Sequence, residues 1–134
     1  MLGYPLTLSF LDKVLRPKQN SKNYKFEPTV SLMIVAHNEE VIIKKKLENA
    51  ISLNYPNNKL DIVIASDNCT DNTDSIVEDF IKDHKDFKIR LIKTKEHRGK
   101  TNAQNEAQKT VTNEILVMTD ANSMLKLDSI REIV

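Results

Sequence analysis

Two aspartates each follow an apolar stretch of the sequence, where a carboxylate could act as a ligand. Asp120 comes shortly after the apolar run at 115–118, and Asn122 lies two residues further on. Asp67 follows a second run, LDIVIAS. Carboxylate and amide oxygens are the ligands that hard cations such as Mg²⁺ and Mn²⁺ prefer. Aspartate is also common in caps and turns, so Asp120 by itself leaves both interpretations open.

Two further apolar stretches end in groups of complementary chemistry. The run LMIVA ends in His37-Asn38-Glu39, which offers a flat ring, an amide and a carboxylate. The run KIRLIK is followed by a basic loop that ends in Arg98-Gly99-Lys100. Cations together with a bound metal could neutralise charge on a departing diphosphate, and an anion also suits the N-terminus of a helix after Gly99. The four groups together suit a metal-bound nucleotide diphosphate.

These groups can meet only if the four apolar stretches are parallel strands of one sheet. Strands are predicted at 29–36, 60–66 and 88–93, and from 115, at intervals of roughly 30 residues, the length of a βαβ unit. Strands that alternate with helices predict a parallel sheet with helices on its faces, a three-layer α/β/α fold. Ligands bind beyond the carboxyl ends of such strands, so the four groups should lie at one edge.

Apolar periodicity predicts a helix that follows the first strand and runs to about residue 53. Glu39 and Glu40 are expected in its first turn, where the helix dipole favours acids. The run Lys44-Lys45-Lys46 reads most simply as a solvated helix face.

A later helix should begin after the basic loop. Thr101 and Gln104 fit a capping box for it. Its apolar stripe is narrow and consists of Ala103, Ala107 and Val111.

Length and charge restrict the class of protein. The 134 residues allow one domain, expected at 28–134 after an apolar and basic segment at 1–27. A net charge of +1 gives no support for a nucleic-acid partner. No apolar run approaches the ~18 residues of a membrane span. Segment 1–27 could therefore be a helix on a membrane surface, the trailing end of a membrane helix, or a helix packed on its own domain.

The small number of glycines excludes two nucleotide-binding motifs. The P-loop pattern that would end at Gly99-Lys100 requires glycine at position 94, where the sequence has Thr94. The dinucleotide-binding fingerprint requires three glycines in one turn, whereas the chain contains two in total, Gly3 and Gly99.

Four segments, in order, resemble the nucleotide-binding half of the family 2 glycosyltransferases, which are inverting enzymes with the GT-A fold. The segments are VSLMIVAHNEE, IVIASDNCTDNT, RGKTNAQNEA and ILVMTDANS, and the resemblance runs from about Pro28 to Leu127. It implies a GT-A, Rossmann-like domain that is incomplete here. It also implies a nucleotide-sugar donor, with uridine favoured, a Mg²⁺ or Mn²⁺ ion, and a saccharide, lipid or other hydroxyl acceptor.

The resemblance assigns the base side of the donor site to the ends of the first two predicted strands. Ala36, His37, Asn38 and Glu39 would line the base and ribose, and the ring of His37 would stack on the base. Asp67 would accept a hydrogen bond from the base, which favours uridine.

The resemblance assigns the diphosphate side to the later motifs. Arg98 and Lys100 would lie near the diphosphate, and Asn105 matches the asparagine of the family's A-L-N segment. Asp120 and Asn122 match the metal-binding D-x-D motif, with asparagine in place of its last aspartate. An amide oxygen still ligates a hard cation but carries no charge, so we expect weaker metal binding than in a D-x-D site.

The family's catalytic base would lie beyond Val134, so no catalytic residue is assigned, and the chain would supply the donor- and metal-binding half of an enzyme. The intact protein is expected at the cytoplasmic face of a membrane, and this fragment in the cytoplasm. The alternative is a non-catalytic module that binds a nucleotide or a partner. A nucleotidyltransferase is a third possibility, but the glycine-rich loop common in such enzymes is absent after the first strand.

Overall fold

The computed structural model describes residues 25–134, in which four strands alternate with four helices. Segment 1–27, for which three alternatives were left open, therefore lies almost entirely outside the described residues. Among the helices of the described part, none has the length and apolar character needed to cross a membrane. In chain order the elements are β1 (Val30–Ala36), α1 (Ile43–Ile51), β2 (Leu60–Ser66), α2 (Thr73–Asp83), β3 (Lys88–Lys93), α3 (Lys100–Gln108), β4 (Ile115–Asp120) and α4 (Ser129–Ile133).

All four strands are parallel, in the order β3-β2-β1-β4. Val30 pairs with Leu60 of β2 on one side and with Ile115 of β4 on the other, so these strands end at the same edge. The α/β prediction is confirmed. The chain moves outward from β1 to β3 and then returns to the opposite side of β1. The order thus reverses between β1 and β4, the switch point at which open sheets bind ligands.

One face of the sheet carries the larger core. Alternate residues of a strand point to the same face, so Leu32 and Ile34 of β1 are buried together. They share this core with Ile43 and Leu47 of α1 and with Val77 of α2. The opposite face is covered by α3 through Ala103 and Ala107, which pack with Met33, Val35, Val63 and Ala65. Both faces of β1 and β2 are therefore buried, as in a three-layer fold.

Two expectations about helix starts are wrong. Helix α1 begins at Ile43, so Glu39 and Glu40 precede it, and the Glu39 carbonyl accepts the N–H groups of Ile42 and Ile43. Helix α3 begins at Lys100 without a side-chain cap, so the expected capping box does not form.

Gly99 explains the second difference. It precedes α3 with φ of 92°, a backbone conformation that favours glycine, and its carbonyl accepts the N–H groups of Asn102 and Ala103. Thr101 lies inside the helix and cannot serve as the cap.

Strand β4 is less buried than its apolar sequence indicates. Met118 is 56% exposed, because β4 is an edge strand of the described sheet and α3 packs mainly over β1 and β2. An apolar run such as 115–118 can be buried on both faces of a sheet, but at Met118 it is not.

Candidate functional site

A cleft of about 280 Å³ lies at the carboxyl ends of β1 and β4, at the switch point of the sheet. It brings together six of the residues that the sequence singled out, and they come from all four strand ends. These residues are His37, Glu39, Asp67, Lys100, Asp120 and Asn122. His97 and Gly99 from the basic loop complete the polar lining.

Asp67 is the buried carboxylate of the cleft, with a side chain only 2% exposed. Its Oδ2 accepts a hydrogen bond from His97 Nδ1 at 2.6 Å, and its Oδ1 accepts one from the Arg98 backbone N–H at 3.3 Å. The Asp67 N–H donates to the Ala36 carbonyl at 2.9 Å, which continues the pairing of β1 and β2. Buried carboxylates are retained when their oxygens are hydrogen-bonded, and the basic loop provides those bonds here.

His37 lies beside Asp67 and is held by the same loop. Its Nδ1–H donates to the Asp67 carbonyl at 2.7 Å, because a carbonyl can only accept. Its ring stacks on His97 with centroids 4.1 Å apart and an angle of 20° between the planes. His97 is thus a flat ring that stacks on His37 and donates an N–H to Asp67. A nucleobase bound to these two residues would make the same two contacts, so it would have to replace His97.

His37, Asp67 and His97 also form a group whose potential metal-ligating atoms all lie within 4.8 Å of one another. Two imidazoles and a carboxylate are a chemically suitable donor set for zinc. The two rings are nearly parallel, however, so their in-plane lone pairs cannot converge on one ion. Stacking and hydrogen bonds account for the arrangement as it stands.

Asp120 and Asn122 lie at the other side of the cleft, where the β4 strand ends. The Asp120 side chain is 48% exposed, and its Oδ1 accepts a hydrogen bond from Lys100 Nζ. Asn122 is exposed. A carboxylate and an amide oxygen that face the same open cleft fit a Mg²⁺ or Mn²⁺ ion, whose other ligands would be water or phosphate oxygens.

Lys46 lies beneath the chain around Asp120 and Asn122. The expectation that residues 44–46 form a solvated lysine face is wrong for this residue. Lys44 and Lys45 are exposed, but Lys46 is completely buried. Its Nζ donates to Thr119 Oγ1 at 3.1 Å and to the Ser123 carbonyl. Burial lowers the pKa of the Lys46 ammonium, and the field of the Asp120 carboxylate opposes this shift.

A family model described as "Glycosyl transferase family 2" matches residues 31–134, which include the whole cleft and all of the sheet except Val30. The chain belongs to this family.

Two curated proteins illustrate the family relationship. The chain is 35% identical over 105 residues to "Probable glycosyltransferase YdaM" of Bacillus subtilis, an alignment that covers 76% of this chain and 24% of that protein. It is 30% identical over 120 residues to the beta-monoglucosyldiacylglycerol synthase of Nostoc sp., covering 89% of this chain and 26% of that protein. The chain therefore spans about a quarter of the length of these relatives.

Two solved structures of other proteins show the same fold. The mannosyltransferase PcManGT from Pyrobaculum calidifontis, in complex with GDP-Man and Mn²⁺, has a TM-score of 0.82 and 31% identity, covering 97% of this chain and 39% of that one. Staphylococcus aureus TarS, residues 1–349, has a TM-score of 0.71 at 19% identity, covering 78% and 31% of the two chains, and shares the fold.

Asn38, which the family resemblance assigns to the base pocket, connects the loop after β1 to the loop after β2 in this structure. It adopts φ of 50°, and its Oδ1 accepts the N–H of Thr70 at 2.8 Å. Glu40 acts similarly, because its Oε2 accepts the N–H of Asn72 at 3.1 Å. Neither side chain lines the cleft.

Ala36 is buried at the end of β1, and its carbonyl accepts the Asp67 N–H.

The structure does not bring Arg98 and Asn105 to the cleft lining. The Arg98 guanidinium pairs with Glu96 Oε2 at 2.9 and 2.7 Å and lines a neighbouring cavity of about 330 Å³. Asn105 is exposed on α3 and belongs to neither lining. Only the backbone N–H of Arg98 reaches the site, through Asp67.

Sequence reasoning missed the parts played by His97 and Lys46. A signal for Lys46 was present, because it lies three residues after Ile43 and four before Ala50, on the inward face of α1. For His97 the sequence gives no comparable signal, because its contacts depend on how the basic loop folds back over β2.

Proposed function

We propose that this chain supplies the donor- and metal-binding half of a glycosyltransferase. The enzyme would transfer a sugar from a UDP-linked donor to an acceptor hydroxyl, with inversion at the anomeric carbon. The observation that carries the proposal is the cleft at the switch point. The cleft is lined by His37 and Asp67, which we propose recognise the base, and by Lys100, Asp120 and Asn122, which we propose bind the metal and the phosphates.

On the base side, Asp67 would accept an N–H from the nucleobase while His37 stacks on the ring. Uracil offers one such donor, its N3–H, and replaces the single bond from His97 Nδ1. Guanine offers two adjacent donors, and the complex of PcManGT contains GDP-Man, so guanosine is the rival base.

On the phosphate side, Asp120 and Asn122 would hold Mg²⁺ or Mn²⁺. When bound, such an ion stabilises negative charge on the leaving diphosphate. Lys100 would transfer its hydrogen bond from Asp120 to a phosphate oxygen. The N-terminus of α3, which begins at Lys100 after Gly99, presents further N–H groups to the same anion.

The reaction would be a single displacement. The acceptor oxygen forms a bond to the anomeric carbon as the bond from that carbon to the diphosphate breaks. The acceptor proton passes to a base that the family resemblance locates beyond Val134. The residues of this chain would bind and orient the donor and stabilise the leaving group.

The acceptor class that the relatives favour is a lipid or a polysaccharide. Similar proteins include a beta-monoglucosyldiacylglycerol synthase and a poly-beta-1,6-N-acetyl-D-glucosamine synthase from Staphylococcus epidermidis, the latter 34% identical over 100 residues. Such acceptors are consistent with an intact enzyme that works at the cytoplasmic face of a membrane.

Isothermal titration of the chain with UDP and with GDP, each with Mn²⁺ and with EDTA, tests this function. We expect UDP to bind more tightly than GDP and Mn²⁺ to strengthen the binding. Tighter binding of GDP would replace uridine with guanosine in the proposal. A folded chain that binds neither nucleotide would overturn it.

The second candidate is a non-catalytic module derived from such an enzyme. One observation favours it, because both aspartates of the cleft already have partners within the chain, Asp67 with His97 and Asp120 with Lys100. The titration does not separate the two candidates, because a non-catalytic module of this kind would also bind a nucleotide. A longer chain that includes the region after Val134 would then show sugar transfer only if the first candidate is correct.

A further inference from the structure

Lys46 is a buried cation whose position relates to the metal-binding segment rather than to the hydrophobic core. We propose that Lys46 is a positioning residue that holds the segment from Thr119 to Ser123, so that Asp120 and Asn122 face the metal and the diphosphate. The inference deepens the proposed function and rests on it.

Lys46 forms hydrogen bonds to the residues on either side of the two expected metal ligands. Its Nζ reaches Thr119 Oγ1, one residue before Asp120, and the Ser123 carbonyl, one residue after Asn122. One side chain therefore fixes both ends of the segment, and Asp120 and Asn122 lie between the fixed points. Groups that hydrogen-bond metal ligands affect metal affinity strongly without contacting the ion, and Lys46 would act similarly through the residues on either side of the expected ligands.

Helix α1 also holds the chain immediately after this segment. Asn49 is three residues after Lys46, so both side chains lie on the same side of the helix. Asn49 Nδ2 donates to the Leu125 carbonyl at 2.8 Å, and the Leu125 N–H donates to Asn49 Oδ1 at 2.9 Å. Residues 119–125 thus follow one helix along their length, and Lys46 is the contact nearest the ligands.

A need for packing alone does not account for a lysine at this position. Lys46 occupies a core-facing site of α1 between Ile43 and Ala50, where an apolar side chain would avoid the cost of removing a charge from water. Within the described part of the chain it forms no ion pair to offset that cost, although the Asp120 carboxylate lies near enough to influence it. What Lys46 provides, and an apolar residue would not, is a donor for two oxygens of the metal-binding segment.

The test compares Lys46→Met with Lys45→Met, which makes the same change at the exposed neighbour. UDP and GDP affinities are measured with Mn²⁺ and with EDTA, and unfolding is followed in urea. We expect Lys46→Met to weaken the Mn²⁺-supported affinity by about 10- to 100-fold, the range found when the partner of a metal ligand is removed. Its affinity in EDTA should stay within about twofold of wild type, and its urea midpoint should not fall, because an apolar residue of similar size replaces a buried charge. Lys45→Met should match wild type in every measurement.

Thr119→Val provides a second test that keeps Lys46. It removes one acceptor with little change in shape, so a several-fold loss of the Mn²⁺-supported affinity is expected. The double variant should bind no more weakly than Lys46→Met alone, because both changes remove the same contact. If Lys46→Met fails to fold, Thr119→Val decides the matter, and wild-type metal dependence in that variant overturns the inference.

The outcomes separate this inference from the proposed function. Wild-type chain that binds no nucleotide contradicts the proposed function. Mn²⁺-supported binding that is equal, or tighter, in Lys46→Met contradicts only the positioning role. A loss that is equal in Mn²⁺ and in EDTA, together with a lower urea midpoint, would make Lys46 a residue of general stability and would also overturn the inference.

Discussion

The two aspartates of the cleft differ in how far the fold has fixed them. Asp67 has a side chain that is 2% exposed, and both of its oxygens accept hydrogen bonds from the basic loop. Asp120 has a side chain that is 48% exposed, and it pairs with Lys100, which is itself about half exposed. The Asp67 carboxylate is therefore fixed in one geometry before any ligand binds, whereas the Asp120 carboxylate can exchange Lys100 for another partner.

The difference arises from the places of their strands in the sheet. Asp67 follows β2, which has a neighbour on each side, and the loops after β1 and β3 close over its end. Asp120 ends β4, an edge strand of the described sheet, and is supported from below through Thr119 and Lys46. The proposed base recognition suits the fixed carboxylate, and the proposed metal binding suits the more exposed one.

The largest expected effect comes from Asp120→Ala. The variant loses the charged metal ligand, so Mn²⁺ should no longer strengthen nucleotide binding, a loss of more than about 100-fold in metal-supported affinity. Because Asp120 is half exposed, the urea midpoint should change little. Titration with Mn²⁺ and with EDTA measures the effect. Retained metal dependence would remove Asp120 from the metal site.

Asp67→Asn should act on the base and not on the metal. Loss of a hydrogen bond to a buried charge costs about 1.5 to 3 kcal/mol, so UDP affinity should fall by roughly 10- to 100-fold with or without Mn²⁺. Asp61→Asn is the matched control, because Asp61 is equally buried but pairs with Arg90 away from the cleft. That control should lower stability and leave affinity unchanged. A similar loss of affinity in both variants would contradict the base-recognition role.

His97→Ala should strengthen nucleotide binding. It frees Asp67 Oδ2 and one face of His37, so the base no longer competes with a residue of the chain. Once His97 no longer occupies these positions, UDP should bind about 3- to 10-fold more tightly. His84→Ala serves as control, because His84 stacks on Phe80 away from the cleft. Weaker binding in His97→Ala would mean that His97 contacts the bound nucleotide.

A gain of similar size, but in metal affinity, is expected from Asn122→Asp. A second carboxylate adds charge at an exposed position, so Mn²⁺ affinity should rise by about 5- to 10-fold at low salt, and the gain should shrink as salt is added. Ser123→Asp places the same charge one residue away and should give less. Equal gains in the two variants would show that Asn122 is not a direct ligand.

Individual residues show what local sequence patterns could predict in the site. Asp67 and Asp120 were found because each follows a recognisable apolar strand, and the parallel arrangement then brought them to one edge. Arg98 and Asn38 were assigned from their motifs, but their side chains turn to Glu96 and to the loop at Thr70. A motif fixes the position of a backbone more reliably than the direction of a long or amide side chain, since nearby partners compete for it.

By itself, the sequence determined the four strands, their parallel arrangement and the polar groups at their ends. These features depend on periodicity and on turn residues, which act over a few positions. Only the tertiary structure decided that Lys46 turns inward to Thr119, 73 residues away, and that His97 lies on His37 and Asp67. Such contacts depend on which loop or helix covers a given strand end, and the packing of the sheet determines that arrangement.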